Sequence, residues 1–295
     1  RKIDLTGSTS SLGGDKLQMK NTPQLSNQLQ GQMAGVQITR SSGDPTAGAS
    51  IRVRGVTTLS TNDPLVIVDG IPGNINDIAP EDVKDIQVLK DAASAAIYGS
   101  RAAAGVILIT TKRARDKNFH LSYSVEYGID APTAKPKFAN AVQWMKGYNE
   151  LAYNDGASSP NSAYSEELIN NYAQLRAEDP DRYPDTDFMG MGLKSSTHHQ
   201  RHSFSLSGGT EKLRTNFSLN YYNADALYDK KDYERFNVRS NNDYNINNWI
   251  HANVDVNLLY SSTVTPHSAE GSIIKDFMAR SPLYNSYWSD GSYAD

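Results

Sequence analysis

Three histidines, His198, His199 and His202, lie close together in the chain, and imidazole is a common zinc ligand. A zinc site needs three or four ligands that converge on one point. On a β-strand His198 and His202 would share a face yet lie about 13 Å apart. The spacing therefore favours a polar junction between a loop and a strand over a metal site, and we predict no metal and no cofactor.

An acidic segment offers the oxygen ligands that calcium prefers. Its carboxylates are Asp179, Asp181, Asp185 and Asp187. Their spacing differs from that of an EF-hand loop, and the central glycine of such a loop is missing. We therefore interpret the segment as a solvated loop.

Two other short motifs lack the context that their chemistry needs. Residues 13–16 resemble part of a phosphate-binding loop, but the spacing from glycine to lysine is wrong and no strand precedes them. Asn216-Phe217-Ser218 matches a glycosylation sequon, but it lies inside a predicted strand. No serine, histidine and aspartate arrangement and no pair of carboxylates is persuasive, so we predict that the chain is not an enzyme.

The bulk properties exclude some classes of protein. The chain has 295 residues, enough for two domains, and its net charge of −4 argues against nucleic-acid binding. Mean hydropathy is −0.57, and no stretch reaches the roughly 18 apolar residues of a membrane-spanning helix. Transmembrane strands escape that test, because they need only about ten residues and alternate in polarity. The sequence begins at Arg1 with a polar segment and shows no signal peptide. If the protein is exported, we therefore expect this sequence to be that of a mature or trimmed chain.

The stretch from Lys90 to Arg113 organises the first part of the chain. Its alanines favour a helix, Asp91 suits the positive N-terminal end of that helix, and Gly99 is a natural stop. After a tight turn at Gly105, the apolar run Val106–Ile109 predicts a strand that is buried on both faces.

This stretch, together with Val66–Pro72 and Ile51–Gly55, resembles the plug-domain signatures of TonB-dependent outer-membrane transporters of the SusC/RagA type. One departure is Ala104, where the family usually has asparagine. The resemblance implies these plug signature residues: Arg52, Arg54, Gly55, Asp69, Gly70, Pro72, Asp91, Tyr98, Gly99, Arg101 and Gly105. It also implies the fold, an α/β plug domain followed by antiparallel transmembrane strands of a β-barrel of about 22 strands.

Local signals predict the other elements of the plug. A short helix begins at Thr22 and ends by Gly31, and residues 1–20 favour an irregular or edge-strand entry. Further elements are a helical turn at Pro80–Asp82 and strands at residues 36–40, 51–54, 65–68 and 86–89. We place the plug domain at residues 1–113 and a charged linker at residues 114–118.

Residues 119–295 alternate between apolar and polar side chains, which predicts strands with one apolar and one polar face. Five strands are predicted, at residues 121–129, 203–207, 213–221, 236–246 and 250–260. Short turns alternate with long loops at residues 131–197, 222–235 and 262–295, as in an outer-membrane barrel with periplasmic turns and extracellular loops. The polar face would line the lumen and the apolar face would contact lipid. Alternation alone also fits a soluble β-sandwich.

Five strands cannot close a barrel, because single-chain bacterial barrels have an even number of strands, and the smallest have about eight. The open edges of such a sheet would be costly in a bilayer. We therefore expect these residues to be the N-terminal part of a larger barrel. The resemblance also implies a TonB-binding segment upstream of Arg1.

The resemblance implies a function: TonB-dependent import of oligomeric nutrients across the bacterial outer membrane. Glycan oligosaccharides are the commoner substrate in this family, and oligopeptides are the alternative. The implied partners are a SusD-like surface lipoprotein as a lid, TonB with ExbB and ExbD, and outer-membrane lipid, with a dimer of SusC–SusD pairs as a further option. A non-transporting surface receptor or adhesin on the same scaffold is the alternative from another class.

The resemblance also implies where substrate binds. Three plug loops face the substrate in related transporters, and they correspond here to residues 40–48, 57–63 and 72–76. Their hydrogen-bonding side chains suit sugar hydroxyls or peptide amides, ordinary polar turn residues being the alternative: Asp44, Thr58, Asn62, Asp63 and Asn74. Arg52 and Arg54 are expected either to lie on the surface or to pair with acidic residues of the inner barrel wall, where a broken pair would be costly.

Overall fold

A computed structural model describes residues 9–19, 22–40, 44, 46–53, 63–90, 96–114, 116–267 and 270–294. They fold into two compact units. The first unit lies within residues 1–129, 198–226 and 232–264. The second unit lies within residues 130–197, 227–231 and 265–295. None of the helices in the described ranges is long and apolar enough to cross a membrane.

The first unit opens with a mixed sheet, and the residues up to 114 are called the plug below. Its strands are β1 (Thr9–Gly13), β2 (Gln37–Thr39), β3 (Ser50–Arg52), β4 (Leu65–Val68), β5 (Ile71–Pro72), β6 (Val83–Leu89) and β7 (Val106–Thr111). The main sheet has the order β1-β6-β7-β4-β5, in which only β4 and β7 run parallel. A separate small sheet pairs β2 with β3. The edge position of β1 and the bounds of β4 confirm the predictions for both segments.

The helices of the plug are short. They are α1 (Leu25–Gln28) and the 3-10 helices Gly14–Met19, Ile75–Asp77, Pro80–Asp82 and Ala96–Ala102. The predicted turn at Pro80–Asp82 is confirmed. Asp91 and the first part of the predicted alanine helix lie outside the described residues. The remainder is two short 3-10 segments that meet at Gly99, whose φ of 68° is not helical, so the helix is interrupted at the predicted stop.

β7 is buried on both faces, as predicted. Ile107 and Ile109 pack into one aliphatic cluster, with residues of α1, β6 and the small sheet. Val106 and Leu108, on the opposite face, pack against Ile67 and other members of a second cluster. The plug therefore has a dry core on each side of its central strand.

Five long strands follow the plug and form what we call the wall sheet. They are β8 (His120–Asp130), β9 (Thr197–Gly209), β10 (Leu213–Asp225), β11 (Asp232–Asn245) and β12 (His251–Val264). Each strand lies beside the next one in the sequence, which confirms the five predicted strands and their order. The predicted loop at residues 222–235 was wrong in its bounds, because β10 and β11 stay paired as far as Asp225 and Asp232. That loop is confined to residues 226–231, and the last loop begins after Val264 rather than at residue 262.

The wall sheet buries its polar face and exposes its apolar face, which is the reverse of a soluble sheet. Its buried face is polar, with Asn216, Ser218, Asn220, Arg235, Asn237, Arg239 and Asn241 each at most 8% exposed. Its exposed face is apolar, with side chains such as Leu121, Tyr123, Leu219, Leu258 and Tyr260 open to the surroundings. A soluble sandwich buries its apolar faces, so the sandwich alternative is wrong. A membrane wall that covers a plug with its polar face has this arrangement.

A row of rings crosses the apolar face at one level. Neighbouring ring centroids lie between 4.6 and 6.4 Å apart along Tyr123, His202, Tyr221, Phe236 and Tyr260. On the side of the short turns the next level is apolar, where Leu219 faces Phe204. On the side of the loops the next level is polar, where Asn223 faces Glu234. The row therefore marks one limit of the apolar band, as aromatic girdles do in outer-membrane barrels.

The second unit is largely helical. It contains α2 (Ala141–Asn154), α3 (Glu166–Glu178), α4 (Phe188–Gly192) and α5 (Glu270–Ala279). Asn140 and Gln143 form a capping box at the start of α2, and Ser165 caps α3. The core between α2 and α3 includes Met145 and Tyr172. Burial raises the pKa of Tyr172 to about 12.

The acidic segment of this unit is structural. Asp185 accepts from the Ala141 N–H, and Asp187 caps α4 by accepting from the Gly190 N–H. Asp181 accepts from both the backbone and the hydroxyl of Ser289. These carboxylates tie separate parts of the unit together, which the interpretation of a solvated loop did not anticipate.

Candidate functional site between the plug and the wall sheet

Alternate residues of β11 contact the plug along the whole strand. From the loop end to the turn end they are Tyr233, Arg235, Asn237, Arg239, Asn241 and Asp243. Their plug partners, in the same order, are Gln24, Pro23, Asp77, Asp69, Thr111 and Arg113. Residues two apart in a strand share a face, so these six β11 residues form one continuous polar strip, called the polar spine below.

Asp69 accepts hydrogen bonds from both the plug and the wall sheet. Arg239 Nη2 donates to Asp69 Oδ2 at 2.6 Å, and the Thr111 N–H donates to Oδ1 at 2.9 Å. Asn241 completes the group, because it accepts from Arg239 Nε and donates to Thr111 Oγ1. The side chains of Arg239 and Asp69 are only 5% and 11% exposed, so either charge would be stranded in a poorly hydrated place if the other were removed.

Two acidic residues in the Pro80–Asp82 turn make a second contact with the wall. Arg201 Nη1 lies 2.7 Å from Glu81 Oε1, and the Asn220 amide lies 3.3 Å from both carboxylate oxygens of Asp82. Burial raises the pKa of the Asp82 carboxyl, although the Asn220 amide acts in the opposite direction. The turn therefore presents one paired charge and one carboxyl whose charged form is disfavoured.

A small cavity of about 20 Å³ separates the plug from the wall near Pro23, Glu81, Arg201 and Arg235. That volume suffices for one water molecule. Arg235 Nη1 donates to the Pro23 carbonyl at 3.2 Å, but the buried Nη2 atoms of Arg201 and Arg235 find no hydrogen-bond partner within the described chain. The interface is thus polar with room for solvent, and water can replace such contacts at low cost when the surfaces separate.

Arg113 joins the end of the plug to two wall strands. Its guanidinium lies 2.6 Å from Asp243 on β11 and also pairs with Asp255 on β12. A pairing of a plug arginine with wall acids is thus found at Arg113, whereas the sequence suggested Arg52 and Arg54. Arg52 is exposed and forms no ion pair within the described ranges, and Arg54 lies outside them. At Asp69 and Glu81 the charges are reversed, with the acid on the plug and the arginine on the wall.

A second feature of the plug is an open cleft of about 620 Å³ lined by two of the predicted substrate-binding residues, Asp63 and Asn74. Asn76 also lines it and accepts from the Ser26 N–H, while Asn74 caps the following 3-10 helix. Gly48 lies close against Asn76, where a Cβ would be 2.4 Å from the amide nitrogen. The cleft therefore has polar walls that are held in place by the plug itself.

The other predicted residues are placed differently. Asp44 accepts from the backbone and hydroxyl of Thr46, so it organises a turn. Thr58 and Asn62 lie outside the described residues. Among the signature residues, Gly55 also lies outside them. Gly70 has a φ of 92° in the turn after Asp69, Pro72 pairs with Ile67, Tyr98 packs on the second core cluster and Arg101 is exposed.

Comparison with known proteins identifies the architecture. The TonB-dependent receptor plug domain family matches residues 1–106. TonB-dependent receptor P26 of Formosa agariphila is 32% identical over 301 residues, which cover 99% of this chain and 28% of that protein. SusC of Bacteroides thetaiotaomicron is 30% identical over 252 residues, which cover 82% and 23%. The solved RagAB peptide transporter is 25% identical with a TM-score of 0.80, covering 99% of this chain and 35% of that one.

The chain belongs to the TonB-dependent receptors of the SusC/RagA type. It spans about a quarter of the length of the curated relatives and about a third of the solved one. The predicted fold, an α/β plug domain followed by antiparallel barrel strands, is confirmed. As a member of this family it is a protein of the bacterial outer membrane.

The histidines of the receptor do not converge. His198 and His202 lie on the apolar face, where they stack with Tyr127 and Tyr123. His199 lies on the buried face, 3% exposed, with its Nε2 atom 3.7 Å from Glu126. Their positions follow from the alternation of β9, which sends neighbouring residues to opposite faces.

The sequence did not single out the wall residues that hold the plug. Asn220 and Arg239 were visible only as polar positions in alternating strands, and Arg201 precedes the second predicted strand. The available signal was the arginines on the inward-facing side, because a buried guanidinium needs an acidic or carbonyl partner. Their partners Asp69 and Glu81 are more than a hundred residues away in the chain, which no local pattern reveals.

Proposed function

We propose that this receptor imports oligosaccharides across the outer membrane through TonB-driven displacement of the plug. The observation that carries the proposal is the polar interface of the plug with the wall sheet, centred on the polar spine. An immobile core would be expected to be close-packed and apolar. Arginine–carboxylate and amide contacts instead hold a plug in place at rest, and water can replace each partner in these hydrogen bonds when the plug moves.

The alternation of turns and loops in the wall sheet supports an assignment of the outer side of the plug. Short turns face the periplasm and long loops face outward in outer-membrane barrels. Tyr233 and Arg235, at the loop end of β11, contact Gln24 and Pro23 of the plug. The cleft adjoins this end of the plug, because Asn76, which lines the cleft, accepts from the N–H of Ser26 in α1, the helix that follows Gln24. We therefore assign the cleft of Asp63 and Asn74 to the outer, substrate-facing side.

The proposed partners follow from the family. A SusD-like surface lipoprotein would close the outer side over the bound oligomer, and TonB with ExbB and ExbD would pull on the plug from the periplasm. The receptor itself performs no covalent chemistry in this scheme. The polar groups of the cleft contribute hydrogen bonds to sugar hydroxyls, and the wall supplies the surface from which the plug is withdrawn.

Oligopeptide import is the second candidate. It is favoured by the likeness to the RagAB peptide transporter, which extends over 99% of this chain. The same amides and carboxylate would then bind peptide N–H and carbonyl groups. The rest of the mechanism is unchanged, because the plug interface does not depend on the class of oligomer.

The test is uptake of labelled oligosaccharides and oligopeptides by cells that express the full-length receptor, with and without TonB. We expect TonB-dependent uptake of oligosaccharide, and we expect substrate binding to weaken about tenfold when Asp63 and Asn74 are both changed to alanine. Asn171→Ala, an exposed change on α3, is the control and leaves binding unchanged. Uptake that does not require TonB contradicts the proposal, and uptake of peptide alone replaces it with the second candidate.

A further inference from the structure

The second unit contains a cavity of about 430 Å³ that the plug mechanism does not use. The segment that precedes α2, the Asp185–Gly190 segment and the end of α5 surround it. These three segments are far apart in the sequence, so the cavity is made by the folding of the unit and not by a single turn.

The walls of the cavity are fixed by hydrogen bonds and close packing. Asp187 caps α4, and the Thr186 N–H donates to the Pro282 carbonyl at 2.9 Å. Gly192 lies against the Phe277 ring, where a Cβ atom would be only 2.1 Å from the ring. Phe188 is 7% exposed and forms part of the apolar floor. A cavity built on such contacts keeps its shape when it is empty.

The cavity is lined by two acidic and three basic side chains. Its acidic residues, Asp185 and Asp187, already accept from the Ala141 and Gly190 N–H groups. Its cations are Lys135, Lys137 and Arg280. Lys135 donates to the Leu193 carbonyl, and Arg280 lies over the Phe188 ring at 5.6 Å.

Lys137 and Arg280 make no ion pair with any carboxylate in the part of the chain that the structure describes. Acidic residues outnumber basic ones in this unit as a whole. Two cations without a carboxylate partner therefore lie together at one cavity. They are suited to hold an anionic ligand.

We propose that this cavity binds a carboxylate-bearing sugar unit of an acidic oligosaccharide. Lys137 and Arg280 would bind the carboxylate, and the Asn140 amide and Thr186 hydroxyl would reach the sugar hydroxyls. Phe138, 41% exposed at the cavity, offers a ring face to the sugar C–H groups. The inference rests on the proposed import of oligosaccharides and narrows it, since it names uronic acids as part of the substrate.

The test uses the full-length receptor in detergent and isothermal titration calorimetry. The probes are short oligomers of galacturonic, glucuronic and mannuronic acid, the same oligomers with their carboxylates methyl-esterified, and a glutamate-rich peptide. We expect at least one acidic oligomer to bind, its methyl ester to bind about tenfold or more weakly, and the acidic affinity to fall as salt is raised.

Matched variants locate the site. Lys137→Gln and Arg280→Gln should each weaken the acidic oligomer about tenfold, whereas Arg280→Lys, which keeps the charge, should retain most of the binding. Lys146→Gln, an exposed lysine of α2 away from the cavity, should have no effect. Equal loss with Arg280→Lys and Arg280→Gln would indicate a structural effect of the side chain and overturn the assignment.

The remaining outcomes separate this inference from the proposed function. Binding of neutral oligomers that is unaffected by these variants would overturn the acidic site and leave oligosaccharide import standing. Binding of the glutamate-rich peptide alone would overturn both. Binding of acidic oligomers that Lys137→Gln and Arg280→Gln do not weaken would place the carboxylate elsewhere and overturn this cavity as its site.

Discussion

Arg239 of the wall sheet and Asp69 of the plug lie with Nη2 and Oδ2 2.6 Å apart, although they are 170 residues apart in the chain. Asp69 follows the strand Leu65–Val68, which carries one plug signature, and turns the chain at a φ of 48°. That backbone conformation points its carboxylate at both Thr111 and Arg239. A motif residue of the plug is thus also a docking residue for the wall.

Removing one member of this pair should destabilise the docked plug. Arg239→Met or Asp69→Asn leaves the other group buried without its partner, and such a loss costs about 3 to 5 kcal/mol for a fully buried pair. Asparagine tolerates the positive φ of residue 69, so the change tests charge and not backbone strain. Calorimetric melting of the full-length receptor measures the effect on the plug.

The double variant supplies the control for that experiment. Arg239→Met with Asp69→Asn should be less destabilised than the sum of the single variants, because no charge is left stranded. Arg101→Met changes an exposed plug arginine and should stay within about 0.5 kcal/mol of the parent. Strict additivity would mean that the pair does not couple the plug to the wall.

Asp82 predicts a pH dependence of plug stability. Because burial raises the pKa of this carboxyl above its ordinary value of 3.8, the native plug holds the proton more tightly than the unfolded chain does. Its contribution to stability is therefore largest below the ordinary pKa and falls as the pH rises through the raised one. Asp82→Asn should stabilise the plug at neutral pH, and its advantage should shrink as the pH is lowered. An advantage that is the same at every pH would refute this account.

Two signature glycines should respond differently to alanine. Gly99 has a φ of 68° and a ψ of −157°, a backbone region that is essentially restricted to glycine, and open space around the Cβ position, so Gly99→Ala should cost only the strain of about 1 to 3 kcal/mol. Gly105 has a φ of 100°, and a Cβ there would lie 2.8 Å from the Val53 side chain. Gly105→Ala should therefore cost more, and Val53→Ala should recover part of the loss. Equal melting temperatures for both glycine variants would contradict this reading of the turn.

The row of rings on the wall sheet predicts where charge is tolerated. Leu219 lies on the apolar side of the row and close to it, so Leu219→Arg should destabilise insertion into lipid vesicles by about 1 to 2 kcal/mol, less than the cost at the bilayer midplane. Asn223 lies on the same face beyond the row, and Asn223→Arg should cost only about 0 to 1 kcal/mol. Denaturant titration of the refolded receptor in vesicles gives both values. A larger cost at residue 223 than at residue 219 would reverse the assigned membrane boundary.

Strand pattern and motif order were sufficient to predict most of the fold. The apolar run Leu65–Val68 reflects a strand covered on two faces, and the alternation of β10 reflects a strand covered on one face. Each pattern therefore has a single local cause. The ends of β10 and β11 were missed because Asn223 and Glu234 continue the pairing after the apolar signal has stopped. Backbone hydrogen bonds extend a hairpin without any change in side-chain pattern.

The site was less accessible to sequence reasoning than the fold. Asp63 and Asn74 were predicted from the resemblance, and they line one cleft. The pairing of Arg52 with the wall was not found, and Arg113 makes that kind of contact instead. Which arginine meets which acid depends on how the plug lies against the wall, and contacts across more than a hundred residues leave no trace in local spacing.

The central claim, that the plug must leave the wall sheet for transport, is tested most directly by locking the two together. Thr111 Oγ1 and Asn241 Nδ2 lie 2.9 Å apart, and these 295 residues contain no cysteine. Cysteines at both positions, in a receptor without other accessible cysteines, should be bridged by a short bis-methanethiosulfonate cross-linker, with Asn241→Cys alone as the control. We expect the cross-linked receptor to bind substrate but not to import it, and dithiothreitol to restore uptake. Undiminished uptake by fully cross-linked receptor would contradict the account.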